Sequence, residues 1–121
     1  MVLDHQRLDV YRHALALLKL CDETIQHLPK GRGQIKEQLE SAATSVVANV
    51  AEGAGEFSGK EKARFYRMAR RSANECAAIL DVYRARQSVA DTAIAAGREL
   101  LLRIVAMLTR MVINCARGQE E

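Results

Sequence analysis

The sequence predicts an all-α protein: an up-down-up-down antiparallel four-helix bundle in a single domain spanning residues 1–121. Three observations carry that expectation. Apolar residues recur at steps of three and four through four long segments, the spacing of helices with one buried face. The composition is 49% hydrophobic but only 4% aromatic, with no tryptophan, which suits a core of Ala, Leu, Val and Ile between helices better than a sandwich. A single proline leaves long stretches in which nothing interrupts a helix, and a chain of 121 residues has room for one continuous core.

The first helix is expected over residues 7–28, with Leu8, Tyr11, Leu15, Leu18, Cys21, Ile25 and Leu28 on its inward face. Pro29-Lys30-Gly31-Arg32-Gly33 ends it. The second runs over 33–54 with Ile35, Leu39, Ala42, Val46 and Asn49 or Val50 on one stripe. It arrives at Gly53 and Gly55, residues that accept the left-handed conformation of a helix C-cap. Ser58 and Glu61 then form an S-x-x-E capping box, starting a third helix over 59–87. Its inward stripe reads Phe65, Ala69, Ser72, Cys76, Ile79 and Tyr83, and it weakens near Gln87, where Ser88 or Asp91 can cap the next helix. The fourth, over 91–116, carries Ile94, Leu101, Ile104, Leu108, Met111 and Cys115 before Gly118 and an acidic tail. The run "ELLLRIVAMLTRMVI" adds Leu102, Val105 and Val112 beside that stripe. This is either a broad core stripe or a subunit interface; short helices with small side chains favour an oligomer.

The formal charge of +3, from 18 Lys and Arg against 15 Asp and Glu, is too slight to define a nucleic-acid-binding protein unless it is unevenly distributed. Cys21, Cys76 and Cys115 are far apart, odd in number and without CxxC spacing. They support neither a disulfide framework nor a zinc site and read as buried apolar residues in a reducing cytosol. The amino terminus "MVLDHQRLDVYRHA" lacks the apolar core of a secretion signal, and no apolar run approaches the ~20 residues that span a bilayer. The expected location is cytoplasmic, with no membrane association.

Ser45, Asn49 and Glu52 follow one another at spacings of four and three on the second helix, and Ser72 and Glu75 do the same on the third. Across an antiparallel hairpin these five residues form a candidate polar network. As chemistry, Glu52 and Glu75 would be a general acid and base, or half of a carboxylate metal site. A di-metal bundle needs Glu-x-x-His motifs, which the chain lacks, and His5, His13 and His27 cannot jointly ligate through adjacent helical turns. No phosphate loop, nucleophile elbow or Cys/His dyad is present. The network is therefore read as structural, fixing helix register, and the protein as a non-enzyme with no catalytic residue, metal or cofactor.

Lys60, Arg64, Arg67 and Arg71 step by four, three and four along one side of the third helix, with Lys62 and Arg70 flanking them. From Lys60 to Arg71 there are six cations and one acid, Glu61. Such a row is ordinarily a solvated face. It can also neutralise phosphates independently of sequence, and oligomerisation would multiply it. The aromatics do not interleave with the arginines, so any RNA or DNA contact would be to the backbone.

The stretch "QLESAATSVVANVAEGAGEFSGKEKARFYRMARRSANE" resembles the central signature of the four-helix-bundle proteins encoded in intervening sequences of bacterial 23S ribosomal RNA genes. Its best parts are Gln38, Ala42, Ser45, Asn49, Ala51, Glu52 and Gly53, then Arg64, Phe65, Ala69, Ser72 and Glu75. The opening "LDVYRHALAL" is similar to that family's first helix. Ser41, Val47 and Arg71 depart from the pattern, Arg71 standing where Gly usually precedes the serine. The resemblance implies a homopentameric barrel, no established enzymatic activity and RNA association. A similar fold occurs in the accessory variability proteins of diversity-generating retroelements, which implies a reverse transcriptase as a possible protein partner. Two functions are carried forward: an oligomer that binds RNA or DNA backbone through the basic face, and a protein-interaction scaffold or reverse-transcriptase accessory protein without nucleic-acid binding of its own.

Overall fold

The computed structural model describes residues 1–28 and 33–118. Among them there is helix and turn but no strand: a 3₁₀ turn at Asp4–Arg7, then α1 (Asp9–Gln26), α2 (Gly33–Gly55), α3 (Gly59–Ala85) and α4 (Asp91–Ala116). The stop expected at Pro29 to Arg32 and the acidic tail beyond Gly118 lie outside the described residues.

Each helix lies against two others: α1 on α2 and α4, α2 on α3, and α3 on α4. Neighbours run in opposite directions. Ser45 meets Ser72, while Gly53, two turns nearer the end of α2, meets Tyr66 near the start of α3. Likewise Gly59 at the start of α3 touches Cys115 at the end of α4, and Leu80 touches Gly97. One apolar cluster runs through all four helices, including Leu17, Leu39, Val46, Tyr66, Tyr83, Ile104 and Leu108. Three glycines sit where helices come closest. A Cβ on Gly53 would stand 2.6 Å from the Tyr66 ring, one on Gly97 would stand 2.9 Å from Leu80, and one on Gly59 would overlap the Cys115 carbonyl.

The expected stripe of α4 is buried throughout: Ile94, Leu101, Ile104, Leu108, Met111 and Cys115. On α1 the core face is rotated by about one residue. Val10, Ala14, Leu17, Cys21, Thr24 and Leu28 are buried, whereas Leu8, Tyr11, Leu18 and Ile25 pack on the flank and Leu15 is exposed. The same rotation occurs at the start of α3, where Tyr66 is fully buried and Phe65 only half-buried. Small residues such as Ala14 let the helix axes approach, so the bulkier aliphatic stripe is displaced to the seams.

Helix ends differ from expectation in three places. Neither Gly53 nor Gly55 adopts a positive φ, and α2 runs through both; Gly53 is required by the Tyr66 ring, not by a cap. Ser58 does cap α3, accepting a hydrogen bond from the Glu61 amide at 3.1 Å, but the Glu61 carboxylate turns to Arg64 instead of reaching back. Finally, α4 starts after Ala90 without a side-chain cap. Ser88 serves the end of α3: its amide donates to the Tyr83 carbonyl and that of Gln87 to Arg84, both at 3.0 Å, with Gln87 at φ 55°. This is a Schellman ending with glutamine where glycine is usual.

Candidate nucleic-acid interface

The amphipathic pattern of α3 puts its small and aromatic residues inward and leaves a cationic strip outside. Lys60, Arg64, Arg67 and Arg71 are all exposed. Arg64, Arg67, Arg70 and Arg71 line one shallow depression with Met68 and Asn74; Lys60, a turn before it, does not reach it.

The six cations divide by partner. Arg64 Nε donates to Glu61 Oε2 at 2.8 Å, and its guanidinium lies 4.4 Å from the centre of the Phe65 ring. Arg70 is half-buried and donates to Thr109 Oγ1 at 3.3 Å, tying α3 to α4. Lys62 leaves the strip: its Nζ donates to the carbonyl of Ala54 at 3.1 Å and lies 3.5 Å from that of Gly53. There it supplies positive charge to the C-terminal end of α2, where unpaired carbonyls carry the negative end of the helix dipole. Among the described residues Lys60, Arg67 and Arg71 have no ion-pair or hydrogen-bond partner. Beside the Lys60 ammonium, two unpaired guanidinium groups, those of Arg67 and Arg71, are thus available to an anion. Each offers the planar fork that matches a phosphate.

Sequence spacing alone marks Arg70 as a flank of the row. Its position three residues after Arg67 and four before Asn74 is the signal that places it in the same depression. Its anchoring depends on Thr109, which no local pattern reveals.

The polar row divides as well. The Ser45 and Ser72 hydroxyls share a hydrogen bond of 2.8 Å, and Asn49 Nδ2 donates to the Ser45 carbonyl at 2.9 Å and hydroxyl at 3.0 Å. These half-buried groups join α2 to α3. Glu52 and Glu75 stay outside this network; both are turned outward, since each lies part of a turn around its helix from the serines. The joined groups are neutral hydroxyls and an amide, which hold register and offer no acid–base pair.

His13 Nδ1 donates to the Asp9 carbonyl and His27 Nδ1 to that of Glu23, each at 2.8 Å, while His5 packs edge-on against Tyr11. Among the described residues no three His, Cys, Asp or Glu side chains are grouped to hold a metal, and no helix is long and apolar enough to cross a membrane.

Among the described residues, four packed helices with an exposed guanidinium-rich strip on one of them define a small all-helical protein. The family model described as 23S rRNA-intervening sequence protein matches residues 6–110, and the chain belongs to that family. A search of curated proteins found no significant match.

Proposed function

We propose that this protein is a non-enzymatic, cytoplasmic, self-associating helical bundle that binds the sugar–phosphate backbone of RNA or DNA through the α3 strip. The observation that carries the reading is the convergence of Arg64, Arg67, Arg70 and Arg71 on one depression in which Arg67 and Arg71 are unpaired. Lys60 extends the strip toward the turn. With few aromatics beside the cations and Phe65 already covered by Arg64, base stacking has no platform, so recognition is of charge and backbone. A closed ring of five chains, as the resemblance implies, repeats the strip around an axis and raises the local field. Support for association comes from apolar side chains on outer faces: Leu102, Ile113, Met68 and Val82 are all exposed.

The test is binding of a labelled single-stranded RNA and a duplex DNA by fluorescence anisotropy across a salt series. Arg67→Glu with Arg71→Glu should abolish most binding at moderate salt and flatten the salt dependence, each lost single-strand phosphate contact removing ~0.7 from the slope. Salt-sensitive binding that survives the double reversal would remove this face from the interface.

A scaffold for a protein partner, such as a reverse transcriptase, is the second reading. It is favoured by the apolar groove between α3 and α4, lined by Ala77, Leu80, Leu101, Leu102 and Val105 and flanked by Asp81 and Arg98. Loss of partner capture in Leu102→Glu, with nucleic-acid binding intact, would support it.

A further inference from the structure

The arginine depression on α3 and the apolar groove between α3 and α4 run into each other. Asn74 lines both. Arg70, in the depression, donates to Thr109, which lies one helical turn from Val105 in the groove and donates to its carbonyl. Because the two helices are antiparallel, facing pairs mark levels along this seam: Arg70 opposite Thr109 at one, Leu80 opposite Gly97 at another. Asn74 and Val105 fall between these levels, and Asp81 and Arg98 close the far end. One surface thus passes from guanidinium groups, through an amide, over hydrocarbon, to a carboxylate beside a guanidinium.

The dimensions suit a single nucleotide. The groove encloses about 200 Å³, and an apolar cavity of about 150 Å³ takes a benzene ring, so there is room for one planar heterocycle. Leu102 on its wall is 63% exposed, apolar surface that a flat ring would cover. At 1.5 Å per residue Asn74 and Asp81 stand about 10 Å apart along α3, the length of a nucleotide from its phosphate to the far edge of its base. Charge fits as well: among the described residues lining the depression none is acidic. Asp81 and Arg98 form no ion pair with each other or with another described residue. They leave an acceptor and a donor side by side, which matches guanine: the carboxylate accepts from N1–H and the 2-amino group, and the guanidinium donates to O6.

We propose that this seam binds one unpaired guanine nucleotide of a single-stranded nucleic acid, with its phosphate on Arg67, Arg70 and Arg71, its base in the groove against Leu102 and Val105, and its edge between Asp81 and Arg98. The role of the seam rests on the α3 strip binding nucleic acid, and it adds a base contact that the strip by itself does not provide. Aliphatic walls take the base where no aromatic platform exists. A base-paired guanine has its N1 edge occupied and its faces stacked, so a duplex gains only the backbone contacts. An uncharged protein segment would fill the groove but leave the neighbouring arginines without a counter-charge.

The test measures fluorescence anisotropy with labelled oligomers of abasic sugar phosphate that carry one guanine, one cytosine or no base at a central position. The guanine strand should bind about tenfold more tightly than the base-free strand and about fivefold more tightly than the cytosine strand. All three should share one salt slope, because they carry the same phosphates. Supplying the guanosine with ribose and with deoxyribose distinguishes the sources, the tighter of the two naming RNA or DNA. Leu102→Gln, an uncharged change at an exposed position, should remove the gain from guanine and leave base-free binding unchanged. Asp81→Ala should remove the preference for guanine over cytosine. Equal affinity for guanine and base-free strands, with binding still lost in Arg67→Glu with Arg71→Glu, would overturn the seam and leave the backbone reading of α3 standing. Absence of binding to any strand would sink both. A guanine gain that persists in Leu102→Gln would put the base elsewhere and free the groove for a protein partner. Should that variant fail to fold, 6-thioguanine in the wild-type complex decides: photo-cross-links must fall on the α3–α4 seam, and cross-links confined to α1 or α2 would refute the proposal.

Discussion

At Gly53 a single hydrogen atom decides how closely α2 and α3 approach. The Tyr66 ring occupies the space that any side chain there would need, its nearest carbons 2.6 and 2.8 Å from where a Cβ would stand. Tyr66 is among the largest fully buried side chains, so it has little freedom to retreat. Gly53→Ala should therefore destabilise the fold by about 1–3 kcal/mol, the usual cost of overpacking, despite the better helix propensity of alanine. Chemical denaturation of the two proteins measures it; an unchanged or higher midpoint would mean that the ring moves freely. The same pair explains why the sequence misleads here. Phe65 and Tyr66 are adjacent aromatics, and either satisfies a three-four repeat. The choice falls to the residue whose ring finds a gap on the facing helix, information held on α2 at Gly53. Glu52 is a similar case: its spacing from Asn49 is right for a shared face, but a few tens of degrees of helix rotation turn it to water.

For whole helices, existence and extent were legible, and so was phase in α2 and α4, but not in α1 or at the start of α3. The ends of α2, α3 and α4 fall within two residues of those expected from glycines, Ser58 and the loss of apolar periodicity. In α1 two apolar stripes run side by side, and the larger side chains mark the seam instead of the centre. Periodicity weights bulk; close packing of helix axes needs small residues such as Ala14. The α3 ending provides a test. Gln87 holds a left-handed φ of 55° that costs a side-chain-bearing residue energy glycine does not lose. Gln87→Gly should raise stability by about 0.5–1 kcal/mol, and a lower thermal midpoint would show that the glutamine side chain contributes something else.

For the whole molecule, buried ionisable groups set a limit at alkaline pH. The Cys76 thiol is pushed up by its Cys21 partner and by burial, and Tyr83 by burial, from ordinary values of 9.0 and 10.0. Below about pH 9 both groups are protonated whether the chain is folded or not, and their contribution to stability is fully present. As pH climbs past the two ordinary values in turn, the unfolded chain loses these protons while the folded one keeps them, so stability falls. Thermal melts from about pH 7 to about pH 11 should show a decline beginning near pH ~9, less steep in Cys76→Ala. A flat profile across that range would mean that these groups titrate alike in both states. Size-exclusion chromatography with light scattering addresses assembly separately: five 13.4-kDa chains in one species accord with the proposed ring, and a monomer would withdraw the multiplied charge.

The unequal duties of the α3 cations carry a further consequence. Lys62 and Arg70 are tied to Ala54 and Thr109, so replacing either alters the scaffold together with the surface. Lys60, Arg67 and Arg71 have no such tie and can change sign, length or number without disturbing the helices beneath them. The charge pattern of this face can consequently drift or be redesigned on a constant frame. A blanket removal of positive charge from α3 would confuse the effect of lost surface charge with that of a weakened fold.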